Sequence, residues 1–154
     1  MKEVSAVRTR TCVFSAVAIA VALTAVSFAD AKTPRPVKFS AALNVGQERP
    51  HPKGTKVGAS GRFTATLTGT TLTWRLTFTH LSGPATAAHI HMGVRGVSGP
   101  VVITLCGPCT SPKTGTTTVT ATQIANLKAR KFYVNVHTAR NPAGEIRGQI
   151  TRAF

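Results

Sequence analysis

Apolar and polar residues alternate along most of the chain from Val37 onward, and a period of two marks β-strands with one face against a core. Val37, Phe39, Ala41, Leu43 and Val45 alternate with Lys38, Ser40, Ala42 and Asn44, which predicts a half-buried first strand. Gly46 to Gly61, rich in Pro, Gly and charge, reads as a long loop. Phe63, Ala65 and Leu67 then alternate with threonines, Gly69-Thr70 turns the chain, and Leu72, Trp74, Leu76 and Phe78 return it, which predicts a hairpin. Threonine is β-branched and suits a pleated, wet outer face. Ser82-Gly83-Pro84 breaks the run before a strand through Ala88-His89-Ile90-His91-Met92. Gly93, Gly96 and Gly99 punctuate a tight connection, and Pro100 leads into the strand Val101 to Leu105. The residues after Cys109, with Thr110, Ser111, Pro112 and Gly115, continue as loop.

One helix is expected, from Ala121 to Arg130. Thr120 with Gln123 three residues on makes a capping box, and Ile124 with Leu127 gives one apolar stripe. Strands Phe132 to His137 and Glu145 to Ile150 follow, joined by the turn Asn141-Pro142-Ala143-Gly144. About seven antiparallel strands with one short helix predict an all-β fold, a Greek-key sandwich or barrel.

The amino terminus has a different pattern. Lys2, Arg8 and Arg10 make a positive start, Cys12 to Phe28 is almost continuously apolar, and Ala29-Asp30-Ala31 offers a small-residue cleavage site. Residues 1–31 are therefore read as an export signal, 32–36 as a short linker and 37–154 as one domain. The apolar run is shorter than the roughly 20 residues that span a bilayer comfortably, so the mature chain is expected to have no transmembrane span. The expected location is secreted or cell-envelope, outside the cytoplasm.

Charge narrows the partners. The 154 residues hold 19 Lys and Arg against four acids, and without the leader only Glu48 and Glu145 oppose a net charge of about +14. Such a surface should attract an anionic cell-surface polymer or an extracellular protein, with strong salt dependence. Nucleic acid is not expected: the cations are dispersed, aromatics are few, and an exported protein meets little of it. Two carboxylates leave no material for paired-acid hydrolysis, and no serine sits in a Gly-x-Ser-x-Gly elbow.

Histidines carry the candidate chemistry. Residues two apart on a strand share a face, so His89 and His91 project together, away from Ile90 and Met92. In Tyr133-Val134-Asn135-Val136-His137-Thr138 the apolar face is Phe132, Val134 and Val136, and His137 lies opposite with Tyr133 and Asn135. All three imidazoles are thus expected on faces turned from the core. Three nitrogen donors could hold one copper or zinc ion, leaving a position for water or an exogenous group. Alternatively the same rings hydrogen-bond loop carbonyls and stiffen the sheet, with Glu145 and Arg147 as a same-face pair. His80 continues the apolar alternation and is read as partly buried, while His51 is read as solvated.

Cys106-Gly107-Pro108-Cys109 spells the tetrapeptide of thioredoxin-type active sites, but redox work of that kind needs the first cysteine at a helix start after a strand. Loop residues follow instead. In an oxidising compartment the pair Cys106 and Cys109 is expected to form a local structural disulfide.

Taken together, Ala87 to Gly93, Gly99-Pro100-Val101-Val102, Tyr133 to Thr138 and Asn141 to Ile150 closely resemble the CHRD domain, a module named after chordin and found alone in exported bacterial proteins. The resemblance covers about Val37 to Ile150. It implies an extracellular β module that binds or supports, not an enzyme with a settled activity. A more distant likeness concerns the histidines. A His-x-His strand, an apolar-x-apolar-His strand, then Asn-x-Ala-Gly and an arginine is similar to the copper half of copper-zinc superoxide dismutase. That likeness implies His89, His91 and His137 as copper ligands and Arg147 as an anion-guiding residue, one position late. Between Met92 and Val136 there is neither histidine nor aspartate, so the zinc half has no counterpart. The reading is a secreted binding or structural module with a possible mononuclear metal site, the alternative being a copper-dependent redox enzyme related to the dismutases.

Overall fold

A computed structural model describes residues 34–153; the predicted export signal and the start of the linker lie outside the described residues. Nine strands and one helix follow in order. They are β1 (Val37–Asn44), β2 (Ser60–Thr68), β3 (Thr71–Thr79), β4 (Ala85–Met92), β5 (Val101–Cys106), β6 (Lys113–Thr118), α1 (Ala121–Lys128), β7 (Phe132–Thr138), β8 (Ile146–Gln149) and β9 (Thr151–Arg152). A 3-10 turn, Val45–Gln47, ends β1. The expected alternation is realised: Phe39, Ala41, Leu43, Phe63, Ala65, Leu67, Leu72, Trp74 and Leu76 are buried, and the residues between them face outward. Gly69 and Thr70 form the tight turn, with Thr68 opposite Thr71 across the hairpin.

All the strands join one sheet, in the order β5-β4-β7-β8-β1-β2-β3-β6, with β9 beside β1. Laid flat, seven spacings of about 4.8 Å would separate β5 from β6 by roughly 34 Å. Yet the chain runs from Cys106 at the end of one edge strand to Lys113 at the start of the other, a reach of at most about 25 Å when fully extended. The sheet must therefore curl toward itself. The result is the expected all-β architecture, a nearly closed, barrel-like antiparallel sheet with one short helix. Within that connection Cys106 and Cys109 form a disulfide, and the Cys109 amide donates to the Ala85 carbonyl at 3.1 Å, tying the loop to the start of β4.

The helix has the capping box its sequence announces, Thr120 accepting from the Gln123 amide and Gln123 from the Thr120 amide, and it sets Leu127 into the core. Two expectations need correction. Residues 113–118 form strand β6, not loop, paired along the outer edge of β3. Its sequence has no apolar residue to reveal it, because the inward position opposite Trp74 must be glycine: any side chain at Gly115 would run into the indole. His80 is exposed, not partly buried, because β3 ends at Thr79 and a left-handed backbone at His80 (φ 55°) swings the chain off the strand.

A disulfide closing so small a loop removes little chain entropy from the unfolded state. Changing both Cys106 and Cys109 to serine should therefore cost about 2 kcal/mol on the loop-entropy model. Urea unfolding would check this, and a loss above twice that amount would show the bridge holding more than its own loop.

Candidate metal centre

Antiparallel pairing of β4 with β7 sets His89 opposite Asn135 and His91 opposite Tyr133, so His137 is a diagonal neighbour of His89 on the same face. Register shifts between Ala88 and His89 and between Ile90 and His91, where β4 meets β5, re-aim this segment. Three imidazoles converge. Ring centres lie 4.9 Å apart for His89 and His137, 5.6 Å for His89 and His91, and 6.0 Å for His91 and His137. One nitrogen from each falls within 4.8 Å of the other two.

The rings are held from behind. His91 Nδ1 lies 2.9 Å from the Gly99 carbonyl and His137 Nδ1 lies 2.9 Å from the Pro142 carbonyl. A carbonyl can only accept, so each Nδ1 carries the proton and each Nε2 presents a lone pair. His89 Nδ1 stands 3.0 Å from His137 Nε2. The Nε2 of His91 is buried with no hydrogen-bond partner among the described residues. A tetrahedral ion about 2.0–2.1 Å from each nitrogen needs nitrogens roughly 3.3 Å apart, against 3.0 Å for the His89–His137 pair and up to 4.8 Å across the cluster. His89 is the half-buried member and His91 and His137 are each 8% exposed, so solvent reaches the cluster past His89.

The expectation that these faces turn outward is thus only partly met. Every residue of β7 is buried. Its polar face, Tyr133, Asn135 and His137, is roofed by loops that local alternation does not announce. The loop 93–100 supplies the Gly99 carbonyl, and the glycine is required there because any side chain would collide with the Met92 carbonyl. The turn 141–144 supplies the Pro142 carbonyl.

Burial lowers the proton affinity of all three rings. His137 is pushed down to about 4, by desolvation first and by the neighbouring His89 and His91 next, against the pull of Pro142. His89 is lowered by burial and then by His91. His91 is lowered by burial, partly offset by Gly99 and Asn135. Neutral imidazoles are the form in which histidine ligates a metal.

Glu145 and Arg147, foreseen as an anion-guiding or structural pair, are not brought together. Glu145 accepts from the Ser82 amide at 2.6 Å, from the Ser82 hydroxyl at 2.5 Å, from Thr138 at 2.7 Å and from Asn141 at 3.3 Å. Burial alone would raise its pKa, but these donors outweigh it and hold the carboxyl below its ordinary value. Arg147, 1% exposed, donates to the Val94 and Val97 carbonyls and lies 3.4 Å over the Tyr133 ring. The same ring stacks on His91, with centres 5.0 Å apart. Tyr133 and Arg147 therefore brace a histidine of the cluster and the loop beside it. Glu48, read from sequence as part of a loop, is 1% exposed, and desolvation raises its pKa against the lowering effects of the Arg49 amide, Arg147 and Asn135. The signal that could have found it is its rarity: an acid kept in so basic a chain.

The family model for the CHRD domain matches residues 39–150. No curated protein and no solved structure matches.

Proposed function

Because the chain belongs to the CHRD domain family, we propose that it is an exported binding or structural module whose His89, His91 and His137 hold one metal ion. The observation that carries the metal is the orientation of the rings. Two Nδ1 groups are committed to backbone carbonyls, the Nε2 of His91 is buried without a hydrogen-bond partner among the described residues, and one nitrogen of each ring lies within 4.8 Å of the other two. A donor set of three nitrogens suits copper(II) or zinc(II), with copper ahead in the general divalent order. An open coordination position would take water or an exogenous group. Export is supported by the charged and apolar leader and by the Cys106–Cys109 disulfide, a bond of oxidising compartments. No helix among the described residues is long and apolar enough to cross a membrane. An excess of basic charge supports an anionic polymer or extracellular protein as partner.

Calorimetric titration of the metal-free protein tests the site. Copper(II) or zinc(II) should bind at one equivalent and raise the melting temperature, since binding favours the folded state. His91→Ala should weaken binding roughly a hundredfold or more, since each ligand carries a large share of the metal's binding free energy. His51→Ala, on an exposed loop, should leave it unchanged. The same weak, non-stoichiometric heat from wild type and His91→Ala would remove the metal from the reading, whereas superoxide turnover by the copper-loaded protein would move it toward the redox enzymes.

A further inference from the structure

Among the described residues the two acids, Glu48 and Glu145, are 1% and 0% exposed, so every exposed formal charge there is positive. The cations are nevertheless not equivalent. On the outer face of β1, β2 and β3, Lys38, Arg62 and Arg75 are exposed among threonine hydroxyls. The register fixes their spacing: Lys38 faces Thr66 and then Thr73, Thr64 faces Arg75, and Arg62 faces Thr77. Arg62 and Arg75 are therefore diagonal neighbours, roughly 7 Å apart at the sheet surface. A cavity of about 360 Å³ is lined by all three cations, and a smaller one continues it between Arg62 and Arg75.

We propose that this groove across β1, β2 and β3 binds an anionic polysaccharide, a hydroxylated chain with repeated carboxylate, sulfate or phosphate groups, through Lys38, Arg62 and Arg75. It rests on the reading of the chain as an exported module that meets anionic polymers. Cations meet the repeated anions, and Thr64, Thr66 and Thr73 offer donors and acceptors to sugar hydroxyls. The chemistry disfavours other polyanions. Single-stranded nucleic acid needs exposed aromatic faces to stack on, and of the aromatics of these strands Phe39, Phe63 and Trp74 are buried in the core and the half-buried Phe78 packs against it. A protein partner needs an apolar centre to its interface, and firm attachment to a membrane takes buried apolar side chains in addition to the modest attraction of each cation to an anionic surface. The exposed Met92, Val94, Val97 and Val101 belong to β4, β5 and the loop between them, not to this face.

The experiment compares wild type with two triple variants of equal charge: Lys38→Gln/Arg62→Gln/Arg75→Gln on the groove, and Arg95→Gln/Lys128→Gln/Lys131→Gln on exposed positions elsewhere. Binding to polygalacturonate, dextran sulfate and a teichoic acid is measured against neutral dextran over a range of salt. These arms separate carboxylate, sulfate and phosphate sources. Wild type should bind at least one anionic glycan and not dextran. The groove variant should bind about tenfold or more weakly, and its log–log salt slope should flatten by about 2 for three lost contacts. The other triple should stay within about twofold of wild type. Amide chemical-shift changes on glycan addition give a second readout in unmutated protein and should concentrate on β1 to β3. Equal weakening in both variants, or shifts spread over the whole surface, would overturn the groove and leave only general charge. Tighter binding of single-stranded DNA, anionic vesicles or an acidic protein than of any glycan would overturn the ligand class. Wild type that binds no polyanion would remove the anionic-partner reading itself.

Discussion

Replacing Glu145 by alanine is expected to destabilise the protein by about 3–5 kcal/mol, the largest effect of any single change away from the hydrophobic core. The carboxylate is buried, and the Ser82 amide, the Ser82 and Thr138 hydroxyls and the Asn141 amide all point at it. Alanine would remove one acceptor and leave several buried donors without partners. Each orphaned donor costs on the order of 1–3 kcal/mol, although relaxation and water entry make the sum less than additive. The change also loosens the turn that follows β7, whose Pro142 carbonyl holds the His137 ring. In a domain of this size the melting temperature should fall on the order of 10–20 °C. Glu145→Gln keeps one acceptor and the side-chain shape, so its cost should be nearer 1–2 kcal/mol. Urea unfolding of the two variants decides the matter. An alanine variant within about 1 kcal/mol of wild type would mean that the donors find water instead, and that Glu145 is not the hub of this corner.

The strands that line the core were legible because their pattern is local. Phe39, Ala41 and Leu43, or Leu72, Trp74 and Leu76, declare their inward face by alternation, and the fold buries each of them. Alternation also placed His89 and His91 together on the polar face of one strand and His137 on the polar face of another, and the pairing of β4 with β7 brings the two faces together. What it could not supply was the second layer over that face. Tyr133, Asn135 and His137 looked solvent-facing because the loops that cover them, 93–100 and 141–144, are brought there only by the pairing of β4, β7 and β8. Arg147 and Glu145 looked like partners because they are two apart. In the fold Glu145 precedes β8 and is captured by the β3–β4 loop through Ser82, while Arg147, within β8, leans over Tyr133. Edge strand β6 was invisible for the opposite reason. Its Lys-Thr-Gly-Thr-Thr-Thr sequence buries almost nothing, and its pairing is decided by the neighbouring β3 and not by its own residues.

Acidification should destabilise the metal-free protein in a window set by His137. In the folded state this ring takes its proton only near pH 4, against 6.5 for an unperturbed histidine. Between those values the unfolded chain binds more protons than the folded one, so stability is complete above about pH 6.5 and falls as the pH drops through the window. The shift corresponds to roughly 3 kcal/mol when fully developed. His89 and His91, also lowered by burial, add slope of the same sign. Glu48 works the other way. Its raised pKa makes the folded state the better proton binder above the ordinary carboxylate value, so its protonation offsets part of the loss. Glu145, held below its ordinary value, costs stability only at more acid pH, as it protonates through its own depressed pKa. A comparison within one window isolates the histidine. Unfolding free energies at pH 7.5 and 4.5 should differ by about 2–3 kcal/mol more in wild type than in His137→Gln, which cannot titrate. Parallel pH profiles for the two proteins would show that His137 accepts a proton in place without penalty. The ring would then be free to swing out toward solvent, and the rigid presentation of its Nε2 beside His89 and His91 would be lost with it.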